Sequence, residues 1–109
     1  MNLLQYYLGL LTEECNEVGQ IASKCSRFGL LEQCPGLDLN NKARLHSEIN
    51  DFFAVIEELN EKFDFGFKPD PIAIKHKRVK MDKYLRYSID LGAVIPFVHP
   101  TLWKECSNG

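Results

Sequence analysis

The sequence predicts an all-α protein: a helical bundle of three main helices plus a short C-terminal segment, its core completed by oligomerisation. Three observations lead there. Two long stretches repeat apolar residues at alternating four- and three-residue steps, the signature of a helix seam. A third long stretch opens with Asp70-Pro71, a helix N-cap followed by the residue favoured at the first helical position. And 109 residues make one small domain, which recovers burial most readily by assembling with copies of itself.

The first helix is expected over about residues 2–28. Leu4, Leu8, Leu11, Cys15, Val18, Ala22 and Cys25 form its seam, Leu3, Tyr7, Leu10 and Ile21 widen it, and Gly29 is the natural C-terminal stop. From Gly29 to about Asn41 the pattern gives way to Cys34-Pro35-Gly36 and Asp38-Leu39-Asn40-Asn41, a long loop. Such a loop is either functional or a structural cover pinned by Leu30, Leu31, Leu37 and Leu39. The second helix, about 41–63, steps through Leu45, Ile49, Phe52, Ile56, Leu59 and Phe63, and Asp64 to Pro69 closes it. The third, about 70–91, ends before Gly92 and has a thin stripe of Ile74, Met81, Leu85 and either Ser88 or Ile89. In the tail, 92–109, Pro96 and Pro100 disfavour a continuous helix, and Thr101 to Cys106 adds at most a last turn. The whole reads as a single domain over 1–109.

Charge is segregated along the chain. Lys75, Lys77, Arg78, Lys80, Lys83 and Arg86 against Asp82 give +5 between residues 75 and 86, leaving −7 elsewhere in a chain of formal charge −2. A surface that holds cations and another that holds anions would produce this pattern, as would a merely solvated basic helix. Cys15, Cys25, Cys34 and Cys106 lack C-x-x-C spacing, so they read as reduced thiols, with Cys15 and Cys25 as small core residues. No signal-peptide pattern and no stretch of transmembrane length is present, and a reducing cytoplasm is the expected compartment.

The chemistry lies in the acids. Glu14 and Glu17 each precede a seam position by one residue, and so do Glu48 and Asp51 in the second helix. One residue turns a helix by about 100°, so each pair is expected at the flank of its buried stripe. Members three apart bring their Cβ atoms to roughly 5–6 Å, and partly buried like charges at that distance repel unless a cation lies between them. Clustered hard oxygen ligands suit magnesium or manganese. A ferritin-like di-iron site would need Glu-x-x-His, and no His follows either pair at three.

Glu13-Glu14-x-x-Glu17 followed by Glu48-x-x-Asp51, the latter within Leu45-His46-Ser47-Glu48-Ile49-Asn50-Asp51-Phe52-Phe53, resembles the MazG-like all-α nucleoside triphosphate pyrophosphohydrolases over roughly residues 3–90. The resemblance implies magnesium-dependent attack of water between the α- and β-phosphates, giving a nucleoside monophosphate and pyrophosphate. It implies metal binding by Glu14, Glu17, Glu48 and Asp51. Glu13 matches the acid that precedes them, an aid to the attacking water or simply exposed. Lys77, Lys80, Lys83 and Tyr84 are the nearest match to the family's phosphate-holding residues, and a homodimer or homotetramer is implied. Two other readings stand beside this one: a non-catalytic helical interaction module with a structural metal site, and a nucleic-acid-binding helical dimer using residues 75–86.

Overall fold

The computed structural model describes residues 1–96, and the expected last turn at Thr101–Cys106 lies outside them. Three α-helices account for most of the described chain: α1 (Leu3–Phe28), α2 (Asn41–Phe63) and α3 (Pro71–Asp90). The all-α class and the helix positions are as the sequence predicts. No helix among the described residues is long and apolar enough to cross a membrane.

Local chemistry explains each boundary. Asn2 caps α1 through a reciprocal box, its Oδ1 accepting from the Gln5 N–H at 2.8 Å while Gln5 Oε1 accepts from the Asn2 N–H at 2.8 Å. Gly29, at φ 95°, ends the helix and donates its N–H to the Cys25 carbonyl. Asp70 Oδ1 accepts from the N–H groups of Ile72 and Ala73, with Pro71 inside the first turn of α3. Asp64 closes α2 in the left-handed region at φ 52°, a conformation that Asp adopts more readily than most non-glycine residues.

The chain clusters into two compact units. The first, Met1–Gly66, holds α1 and α2, which pack against each other, and the second begins at Phe67 and holds α3. In the first unit the apolar core consists of Ile21, Val55, Ile56 and Leu59, with Leu59 fully buried. Tyr7 meets Phe63 with ring centroids 5.8 Å apart, setting the start of α1 beside the end of α2 in an antiparallel hairpin. No residue of α3 is buried, and its Arg86–Asp82 pair at 3.2 Å is an exposed i,i+4 contact of small energetic consequence.

The loop between α1 and α2 is fastened to the first turn of α2. Asn41 N–H donates to the Glu32 carbonyl and Lys42 N–H to the Leu30 carbonyl, both at 2.9 Å, while Ala43 N–H is capped by Asn40 Oδ1. Three of the four N–H groups that every helix start leaves unpaired are thereby satisfied. The Asn41 side chain, 1% exposed, donates through Nδ2 to the Gly29 carbonyl and to Glu32 Oε1, both at 3.1 Å. Pro35 and Gly36 occupy the centre of a turn closed by Leu37 N–H on the Cys34 carbonyl, with Gly36 at φ 86°. Leu30 and Leu31 are half-buried, whereas Leu37 and Leu39 are exposed, so only the first two leucines pin the loop.

Asn41→Ala should therefore destabilise the hairpin by about 2 kcal/mol, because it leaves the part-buried Gly29 carbonyl and a Glu32 carboxylate oxygen without this donor. Urea unfolding followed by circular dichroism measures this, and a variant as stable as the parent would show that the clamp contributes nothing.

The face that α1 turns toward α2 differs from the expected seam. The half-buried or buried residues of α1 are Tyr7, Leu10, Leu11, Glu14, Val18, Ile21, Lys24 and Cys25, while Leu4, Leu8, Cys15 and Ala22 are exposed. In α2 the matching line is Asn41, Leu45, Glu48, Phe52, Val55, Ile56, Leu59 and Phe63, with Ile49 exposed. Cys15 is thus not a core residue, though Cys25 is partly covered; both, with Cys34, are free thiols. The physical reason is the breadth of the apolar stripe: adjacent pairs such as Tyr7-Leu8 and Leu10-Leu11 offer two possible contact faces about 100° apart, and the Tyr7–Phe63 contact belongs to one of them.

Candidate functional site

That rotation brings the acids inward. Glu14 occupies the α1 stripe between Leu10, Leu11 and Val18, and Glu48 occupies the α2 stripe between Leu45 and Phe52. They lie within the interhelical seam rather than at its flank. Glu17, one turn beyond Glu14, is exposed, and carboxylate oxygens of Glu14, Glu17 and Glu48 all lie within 4.8 Å of one another.

The three charges are poorly compensated. Glu14 Oε2 and Glu48 Oε2 are both shielded from solvent and have no hydrogen-bond partner. Burial, followed by the charges of Glu17, Asp51 and Glu13, pushes the Glu14 carboxyl above the ordinary glutamate value. Glu48 is pushed in the same direction, chiefly by a hydrogen bond with Glu17, then by burial and by the charges of Glu17, Asp51 and Glu14.

A pH dependence follows. With the folded-state affinity of Glu14 and Glu48 for protons raised, the fold is favoured most below the ordinary value of 4.5, where both residues are protonated whether folded or not. Stability should fall as pH rises from there through the raised values and level off above them. Thermal melts in metal-free buffer across that window should show the decline, and Glu14→Gln should flatten it. An unchanged slope in that variant would show that Glu14 does not carry the effect.

The other predicted residues are placed as follows. Asp51 is exposed on α2; its charge acts on both Glu14 and Glu48, but it is outside the trio whose oxygens converge. Glu13 is exposed on α1 and reaches the cluster only through its charge on Glu14. Lys77, Lys80, Lys83 and Tyr84 are exposed on α3 in the second unit.

No protein-family model, curated protein or solved structure matches the chain. The chemistry of the site accordingly rests on its own residues. Three oxygen donors converging from two helices, two of them with shielded and unpartnered atoms, form a set that fits a hard divalent cation.

Two features escaped the sequence reading. Asn41 looked like a loop polar residue, yet it is the buried fastener of the hairpin; its place at the first position of α2, just after an Asn cap, was the available signal. The second is an apolar groove between α1 and α2, lined by Cys15, Val18, Ile49, Phe52 and Phe53. Cys15, Val18, Ile49 and Phe52 each follow one of the four acids by one residue, so the groove borders the carboxylates on both helices. The constant offset in the sequence marks this boundary, although the apolar periodicity alone places the same residues in the seam.

Proposed function

We propose that this chain is a magnesium-dependent nucleoside triphosphate pyrophosphohydrolase of the MazG-like kind. It cleaves between the α- and β-phosphates to give a nucleoside monophosphate and pyrophosphate, and works as a cytoplasmic homodimer or homotetramer, with manganese as an alternative ion. The observation that supports this reading most is the convergence of Glu14, Glu17 and Glu48 within 4.8 Å, with unpartnered shielded oxygens on Glu14 and Glu48. Structural ion pairs do not explain it, because no basic side chain is bonded to those oxygens.

Each residue has a role in this reading. Glu14, Glu17 and Glu48 hold the metal, and Asp51 completes the set from the next turn of α2. When bound, the ion supplies positive charge to the phosphate oxygens and makes a water more acidic. Glu13, exposed beside the cluster, orients that water or accepts its proton. To Lys77, Lys80 and Lys83, with Tyr84, the family resemblance assigns the holding of phosphate oxygens.

Pyrophosphate release over a panel of ribo- and deoxyribonucleoside triphosphates with magnesium tests the proposal. Release with at least one nucleotide is expected, and none with any nucleotide overturns it. Neutralising Lys77, Lys80 and Lys83 together should raise KM by about tenfold or more while leaving the magnesium-induced rise in Tm intact. If the parent chain is instead retained on RNA or DNA in a salt-dependent way that the triple variant loses, residues 75–86 serve nucleic acid.

A further inference from the structure

We draw no further inference here: the strongest candidate, the apolar groove between α1 and α2 lined by Cys15, Val18, Ile49, Phe52 and Phe53, carries nothing because nothing in the structure shows what covers it.

Discussion

On the proposed function, Glu48→Gln should lower magnesium-dependent pyrophosphate release by about a hundredfold or more, and it should raise the thermal stability of the metal-free protein. The two effects have opposite signs for one reason. Glutamine preserves the shape of the side chain and one carbonyl oxygen, so the seam between α1 and α2 remains filled. It removes a charge that Glu17, Asp51 and Glu14 all oppose and that burial penalises. Without metal, that loss relieves repulsion. With Glu48 as the metal ligand proposed above, it also deletes an anionic donor, and supporting residues one shell further out already cost tenfold to a hundredfold when removed from metal sites.

Measuring both properties separates a damaged site from a damaged fold. Magnesium should raise the Tm of the parent, since a ligand that binds only the folded state stabilises it by mass action, and the variant should lose most of that rise. A variant that melts lower and is inactive has simply lost structure. One that is as active as the parent excludes Glu48 from the metal set.

Leu59→Ala is expected to cost about 3 kcal/mol of stability, the largest effect of any single truncation in the hairpin. Leu59 is 0% exposed and lies in the small cluster formed with Ile21, Val55 and Ile56. Removing its side chain forfeits apolar burial and leaves a cavity that surrounding residues fill only in part. Small domains are marginal to begin with, and each kcal/mol shifts Tm by roughly 4–8 °C at this size. Leu8→Ala provides the contrast: Leu8 retains 40% exposure, so its truncation should cost about 1 kcal/mol or less. Urea titrations read by far-ultraviolet circular dichroism compare the two, and equal losses would place the stabilising core somewhere other than Leu59.

Where the helices begin and end was written in short-range signals. Gly29 stops α1, Asn40 caps α2, and Asp70-Pro71 starts α3, each acting on groups within four residues of itself. Such bonds form in nearly the same way whatever the rest of the chain does, which is why residue order suffices to locate them. The pairing of Glu14 and Glu17 with Glu48 was also legible, through their common spacing along two amphipathic helices. The inward placement of the first and last of these was not.

The sequence by itself determined three helices, their limits and the acidic character of the candidate site. Tertiary structure decided which face of α1 meets α2, and with it the environment of every carboxylate. An apolar stripe as broad as that of Leu3 to Leu11 permits more than one contact face, and the choice depends on partners far along the chain: Phe63 against Tyr7, and Asn41 against Gly29. Contacts between residues so distant in sequence have no local signature. They set Glu14 and Glu48 into the seam itself, where burial and neighbouring carboxylates push both carboxyls above the ordinary glutamate value.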